Sequence, residues 1–149
     1  MGLQQQVMEE MKAAMKAKDT VALESLRAIK SALLLAQTEK GSGQGLSEAD
    51  EIKLVQKLVK QRRESAAIFS EQGRDDLAGP ELSQVAVIEK FLPEQLSEEE
   101  IEKVVAKTIA ATGASGMQDM GKVMGIVSRE LAGQADGKTI SGIVKSKLL

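Results

Sequence analysis

The spacing of apolar residues along the chain predicts an all-α protein. Apolar side chains recur three or four residues apart throughout, whereas the alternation and the β-branched or aromatic runs that are typical of strands are missing. The first predicted helix ends near Lys18, and Asp19 is placed to cap the next helix. The apolar face of this first helix is predicted to consist of Leu3, Val7, Met11, Ala14 and Met15.

Two longer helices are predicted to follow. The second ends by Gly41, because glycine readily adopts the left-handed conformation at a helix C-terminus. Ser47 and Asp50 have the spacing of a capping box and open a third helix, which Gly73 ends. The inward-facing positions are Leu23, Leu26, Ile29 or Lys30, Leu33 and Ala36 in the second helix, and Ile52, Val55, Leu58, Val59, Arg62, Ala66 and Phe69 in the third.

A fourth helix is expected to start at Gly79-Pro80, since proline is well suited to the first turn of a helix. Pro93 then stops it. The buried stripe of this helix is predicted to be Val85, Ile88, Phe91 and Leu92. We place a domain boundary at Pro93, which gives an N-terminal helical bundle over residues 1–93 and a smaller C-terminal module over residues 94–149.

The C-terminal module is predicted to contain three short helices. Ser97 opens the first with a second capping box, in which acidic residues stand where the helix dipole favours them, and Gly113 closes it. Ser115 with Gln118 is expected to cap the second helix, and Gly133 to end it. Thr139 is expected to begin the last helix, whose apolar positions are Ile140, Ile143, Val144 and Leu148.

Composition excludes much familiar chemistry. The 149 residues include no Cys, His, Trp or Tyr, so disulfides, thiolate metal sites and histidine bases are absent, and we expect no catalytic residue, no cofactor and no metal. The formal net charge is −2, so any nucleic-acid contact must be local. The longest apolar run spans residues 32–36, far short of a membrane span, and the polar start lacks a secretory signal. We therefore expect a cytoplasmic protein without a membrane partner.

A short basic stripe is predicted on the third helix. It consists of Lys53, Lys57, Lys60 and Arg63, which helical spacing places on one side, away from Val55 and Leu58. Stripes of this kind are usually solvated faces, but phosphate contact is the functional alternative.

A second basic patch is predicted in the C-terminal module, where Lys122 and Arg129 share a helix face. The last helix adds Lys138, Lys145 and Lys147. Gly121 and Gly125, one turn apart, each cost about 1 kcal/mol of helix propensity relative to alanine. They serve either close packing between helices or a smooth backbone face for an RNA backbone or a partner helix. Without aromatic stacking platforms, RNA binding here would read duplex shape and backbone.

Two glycine-rich segments are not interpreted as phosphate loops. Residues 41–45 follow a helix and are typical of a flexible connector. Residues 133–139 end in Gly-Lys-Thr, but three residues separate the glycines where a nucleotide-binding loop has four, and a helix precedes them. The segment is interpreted as an interhelical turn.

Short motifs along the whole chain resemble the GatB/YqeY family in order and spacing. They lie at residues 11–19, 26–33, 60–63, 72–77, 91–97, 112–115, 119–125 and 135–138. The resemblance implies a helical bundle followed by a three-helix module similar to the tail of GatB, the part of a glutamine-dependent tRNA amidotransferase that engages tRNA. The catalytic body of GatB has no counterpart here, and no amidase-like serine and lysine arrangement is evident.

Together these features favour a non-catalytic tRNA-binding or tRNA-amidotransferase-related accessory protein, with tRNA and a protein of translation as partners. One alternative is a helical protein–protein adaptor that docks on a translation or replication component without RNA. Another is an auxiliary subunit of a glutamine-dependent carbon–nitrogen ligase, which would need a partner to supply the glutaminase site. Salt dependence distinguishes RNA binding from docking, because phosphate contacts weaken steeply as ionic strength rises.

Overall fold

The computed structural model describes residues 2–40 and 45–149. Within these ranges the only regular elements are helices, which confirms the all-α prediction. The helices are α1 (Leu3–Ala17), α2 (Thr20–Lys40), α3 (Glu48–Glu71), α4 (Asp75–Ile88), α5 (Glu98–Thr112), α6 (Met120–Glu130) and α7 (Gly137–Leu148), with single 3-10 turns at Glu89–Phe91 and Met117–Asp119. The predicted end of α2 at Gly41 and the connector that follows lie outside the described residues.

The chain divides into two compact units, Met1–Leu92 and Pro93–Leu149, and each has its own apolar core. In the N-terminal unit α1 packs against α2, and α2, α3 and α4 pack against one another. The core of this unit consists of Leu3, Val7, Ala14, Leu26, Ile29, Leu33, Val55, Val59, Val85 and Ile88. These residues come from all four helices, so the four helices share one core.

Helices α1 and α2 form an antiparallel hairpin. Lys18 adopts the left-handed conformation (φ +56°) that ends α1, and the Asp19 carboxylate accepts a hydrogen bond from the Ala22 N–H at 3.1 Å, which confirms Asp19 as the cap of α2. At the far end, the Gln37 side-chain amide donates to the Gln4 side-chain oxygen at 3.2 Å. The two helices therefore run side by side over most of the length of α1.

The predicted inward face of α1 was wrong at one position, because Met15 is 53% exposed. Ala14 takes the buried place, since it continues the row of Leu3 and Val7 at helical spacing whereas Met15 lies on the flank of that row. Met11 is partly buried against the core. Met15 is therefore an apolar side chain on the exposed surface of α1.

The capping box of α3 is confirmed. The Ser47 hydroxyl accepts from the Asp50 N–H at 3.1 Å, and the Asp50 carboxylate accepts from the Ser47 N–H at 3.4 Å. Helix α3 ends at Glu71, and Gly73 lies in the following turn with φ +72°. The chain then turns back into α4, which is tied to α3 by a hydrogen bond from Arg62 Nε to Gln84 Oε1 at 2.9 Å.

The predicted start of α4 was wrong by several residues. The helix begins at Asp75, and Pro80 lies inside it. Asp75 and Asp76 stand in the first turn, where they favour helix initiation through the dipole. Proline is tolerated at the sixth position because it removes one hydrogen bond, to the carbonyl of Asp76 near the helix start, where that carbonyl can bond to water.

In the C-terminal unit, α5, α6 and α7 pack against one another. The Ser97–Glu100 capping box opens α5 and Gly113, in the left-handed conformation, ends it, so both predictions are confirmed. The core consists of Ile101, Val105, Val123, Val127, Leu131, Ala135, Ile140, Val144 and Leu148. The helices of this unit thus bury one row of apolar residues each.

The predicted starts of α6 and α7 were displaced. Ser115 does not cap α6: its N–H donates to the Asp119 carboxylate at 2.8 Å, and a 3-10 turn intervenes before the helix. Helix α6 ends at Glu130, three residues before Gly133. Helix α7 is capped by Asp136, not Thr139, because the Asp136 carboxylate accepts from the Lys138 N–H and the Thr139 hydroxyl, each at 3.4 Å.

The segment that opens the C-terminal unit is fixed onto the turn between α6 and α7. The Leu96 N–H donates to the Gln134 carbonyl at 2.9 Å, and Gln95 Nε2 donates to the carbonyls of Gly133 at 2.6 Å and Pro93 at 2.8 Å. The Gln134 side-chain amide returns a bond to the Glu94 carbonyl at 3.4 Å. These bonds make residues 93–96 part of the C-terminal unit.

Candidate nucleic-acid interface

The four cations predicted for the C-terminal patch are all exposed. Lys122 and Arg129 lie on α6, and Lys138 and Lys145 lie on α7. Each pair is seven residues apart, so its members stand on one face of their helix, separated by roughly 10 Å along the axis. Lys147 on α7 is exposed as well. Both helices therefore carry a two-cation row at the surface.

These cations are not neutralised inside the unit. Among the described residues, the side chains of Lys122, Arg129, Lys138 and Lys145 make no ion pair and no hydrogen bond. Their charges are thus available to an anion from solution. Phosphate oxygens are the natural partners for such groups in nucleic acids.

Gly121 and Gly125 have no close neighbour among the described residues. Both are exposed, and a methyl group added to either meets no atom within 4 Å among the described residues. The interpretation as close helix packing was therefore wrong for this unit. The buried row of α6 is formed by Val123 and Val127, so the glycines lie on the opposite side of the helix.

The outer side of α6 is consequently smooth, with Lys122 and Arg129 beside the two glycines. A surface without side chains lets a partner backbone approach closely. The two aromatic residues of the chain, Phe69 and Phe91, belong to the N-terminal unit and are partly buried there. The C-terminal unit can thus offer charge and shape to an RNA, without a stacking surface for unpaired bases.

The four residues of the predicted basic stripe on α3 differ in their surroundings. Lys53, Lys57 and Lys60 are exposed on its outer side. Arg63 stands to one side of that row and forms an ion pair with Glu89 of the 3-10 turn after α4. Arg63 is also exposed, but its charge is compensated locally. Sequence reasoning missed this pair because its members are 26 residues apart and meet only through the α3–α4 hairpin.

The acidic cluster at the start of α5 has a structural role. Glu100 belongs to the α5 capping box, where its carboxylate accepts from the Ser97 N–H at 3.3 Å. In the described part of the chain, no three acidic residues are placed to hold a metal ion. Residues 131–136 connect α6 to α7, and the Gly-Lys-Thr sequence at 137–139 is the first turn of α7, which Asp136 caps.

One exposed ion pair perturbs the ionisation of its members. Arg74 donates from Nε and Nη2 to the two carboxylate oxygens of Asp76, at 3.1 and 3.0 Å. This bidentate contact lowers the pKa of Asp76 below its ordinary value and raises the pKa of Arg74. The pair lies at the start of α4 and fixes the turn that precedes it.

Comparison with known proteins gives the class of this chain. Residues 4–148 match the family described as Yqey-like protein, so the chain belongs to the YqeY-like protein family, as the sequence motifs indicated. A glutamyl-tRNA(Gln) amidotransferase subunit of Thermococcus gammatolerans is 34% identical to it over 103 residues. That match covers 66% of this chain and 16% of the amidotransferase subunit, so this chain spans only a small part of the length of that relative.

None of the described helices is long and apolar enough to cross a lipid bilayer. This agrees with the exposed charges that every helix carries.

Proposed function

We propose that this chain is a non-catalytic, tRNA-binding accessory protein related to the tRNA amidotransferases and acting in the cytoplasm. Its N-terminal helical bundle, residues 1–93, precedes a three-helix module, residues 94–149, that carries the main RNA contacts. Membership of the YqeY-like family and similarity to one chain of a glutamyl-tRNA(Gln) amidotransferase support the relationship. The observation that carries the RNA contact is the unpaired, exposed cation rows of α6 and α7.

The proposed contacts are phosphate contacts from Lys122, Arg129, Lys138 and Lys145, with close backbone approach at Gly121 and Gly125. The α3 row of Lys53, Lys57 and Lys60 is a second, weaker candidate, and Arg63 contributes less because Glu89 compensates its charge. Four phosphate contacts would give a log–log slope of affinity against salt of about −3 to −4. This slope is a measurable signature of the site.

The experiment is binding of the full chain to a tRNA pool at several salt concentrations, by filter binding or fluorescence anisotropy. We expect affinity in the micromolar range or tighter, falling with salt. The Lys122→Glu/Arg129→Glu variant should bind about tenfold more weakly or worse, with a slope shallower by about 2.

A matched control is available on α5. Lys103→Glu/Lys107→Glu makes the same charge change at exposed positions of the same unit, outside the proposed contacts. It should retain most of the affinity. If the two double variants lose affinity equally, the binding reflects overall charge and the proposed site is wrong, and no tRNA binding at low salt would refute the function.

We also propose that the isolated chain has no amidotransferase activity, because the residues of the proposed RNA-binding surface are not arranged as a catalytic site. Ammonia release from glutamine, or tRNA-dependent amide formation, by the purified chain alone would contradict this. Stimulation that appears only with an added amidotransferase would instead favour the auxiliary-subunit alternative.

A further inference from the structure

The hairpin of α1 and α2 carries an apolar groove on its solvent side. The hydrogen bond between Gln4 and Gln37 marks this side at one end of the hairpin. Residues three or four positions apart share a helix face, so the same face continues from Gln4 toward the end of α1 and from Gln37 back toward the start of α2. We define the α1–α2 groove by the residues that follow these two rows: Met8, Met11, Lys12 and Met15 on α1, and Leu34, Lys30, Arg27 and Leu23 on α2.

The groove is apolar along its middle. Met8 is 40% exposed, Met15 is 53% exposed and Leu34 is 47% exposed. Met11 and Leu23, which belong to the same two rows, are partly buried and pack on the core. Exposed methionine is flexible and polarizable and adapts to varied apolar surfaces.

The charge along the groove has one sign. Lys12, Lys30 and Arg27 stand in the two rows, and no Asp or Glu stands in either. Lys12 and Arg27 are exposed and Lys30 is partly buried, and none of the three forms an ion pair with a described residue. A partner that covers the apolar strip would therefore meet cations without counter-ions.

We propose that the α1–α2 groove binds an acidic amphipathic helix of another protein. The apolar side of such a helix would cover Met8, Met15 and Leu34, and its carboxylates would meet Lys12 and Arg27. Helix α1 has 15 residues and is about 22 Å long, which matches a partner helix of four turns. This inference stands apart from RNA binding by the C-terminal unit.

The same observations argue against two other partners for the groove, a second copy of this chain and an RNA. A second copy of this chain, placed on the groove by a two-fold axis, would bring Lys12, Lys30 and Arg27 against the same cations. An RNA would be attracted by those cations, but the exposed methionine and leucine side chains give its phosphates no hydrogen bond. An acidic helix satisfies the apolar strip and the cations together.

The test uses a synthetic helical peptide of about 18 residues with leucines at helical spacing on one face and glutamates beside them. Two further peptides serve for comparison: one with lysine at every glutamate position, and one with the same composition in scrambled order. Binding to the full chain is measured by calorimetry or fluorescence anisotropy. We expect the acidic peptide to bind at least tenfold more tightly than either comparison peptide.

Variants of the chain locate the site. Met8→Glu/Leu34→Glu should weaken the acidic peptide at least tenfold, and Lys12→Glu/Arg27→Glu should reverse the preference toward the lysine peptide. Leu82→Glu, at a leucine that is 51% exposed on α4 and outside the groove, is a control for adding a carboxylate at an exposed apolar position and should bind as the wild type does. Helical circular dichroism and melting temperature of each variant show that the fold is kept.

Several outcomes would overturn the proposal. Equal binding of the acidic and lysine peptides, or equal loss in Met8→Glu/Leu34→Glu and Leu82→Glu, would show that the groove does not select an acidic helix. Concentration-dependent dimerisation that Met8→Glu/Leu34→Glu abolishes would make the occupant a second copy. Loss of tRNA binding in Lys12→Glu/Arg27→Glu, together with no peptide binding, would make it RNA.

Discussion

Replacing Gly125 by alanine should stabilise the protein and weaken the RNA binding proposed for α6. Gly125 is the sixth of eleven residues in α6, its backbone is not in the left-handed region, and an added methyl group meets no atom within 4 Å. Alanine is favoured over glycine in a helix interior by about 0.5–1 kcal/mol. Since no described atom opposes the methyl group, the full gain should appear, which for a unit of this size raises Tm by about 2–8 °C.

Gly121 is the second residue of α6, where the propensity difference is smaller, so Gly121→Ala should stabilise by less than Gly125→Ala. The reciprocal control is Ala106→Gly on α5, an exposed mid-helix position of the same unit, which should lose about the amount that Gly125→Ala gains. Amide hydrogen exchange at Val123 and Val127 reports the stability of this unit directly, because both residues are buried in its core.

The same variants test the proposed backbone approach. A methyl group on Gly125 stands between the helix and any RNA backbone that lies on it, so tRNA affinity should fall several-fold while stability rises. Lower stability in Gly125→Ala would show that the glycine packs against a neighbour and that α6 has no open face. Higher stability with unchanged affinity would show that RNA does not lie on this side of α6.

Three further predictions follow from the described contacts. Because Arg74 lowers the pKa of Asp76, this carboxylate stabilises the fold above its unfolded-state pKa and loses that effect as pH falls through its lower folded-state value; Asp76→Asn should therefore be less stable at pH 7, and its difference from wild type in unfolding curves should vanish once the pH is below the folded-state pKa. Ser97→Ala removes the cap of α5 and should cost about 1 kcal/mol in urea unfolding, and an unchanged midpoint would show that water replaces the hydroxyl without loss. Ile88→Ala should cost about 2–5 kcal/mol because the side chain is fully buried, whereas Leu35→Ala, at a leucine that is 63% exposed, should change the unfolding free energy by less than about 0.5 kcal/mol, and similar losses would contradict the described core.

Local sequence signals predicted the helices that carry complete caps. Asp19, Ser47 and Ser97 open α2, α3 and α5 as predicted, because each capping contact spans only three residues and depends little on the rest of the chain. The start of α4 was misplaced because Gly79-Pro80 is a stronger local signal than the acidic turn at Asp75. The helix tolerates proline there, and only its packing on α2 and α3 shows that it starts earlier.

The surroundings of the candidate site residues were harder to predict, because they depend on tertiary contacts that local sequence patterns do not indicate. The spacing of Lys122 and Arg129 predicted a shared face, but not that neither side chain pairs with a described residue. Arg63 matched the α3 stripe by spacing, yet the α3–α4 hairpin brings Glu89 to it. Met15 matched an apolar face, but helical phase alone does not show how wide the buried part of α1 is. Only the tertiary packing of the helices shows which of these side chains are paired and which are exposed.

The bonds between residues 93–96 and the α6–α7 turn fix where an excised C-terminal fragment should begin. A fragment that starts at Pro93 keeps the Leu96 bond to Gln134 and the Gln95 bond to Gly133. A fragment that starts at Ser97 keeps the α5 cap but exposes those carbonyls and loses the packing of Leu96 on the core. A fragment for crystallography or NMR of this unit should therefore include residues 93–96. Without these four residues we expect the α6–α7 turn to be less ordered.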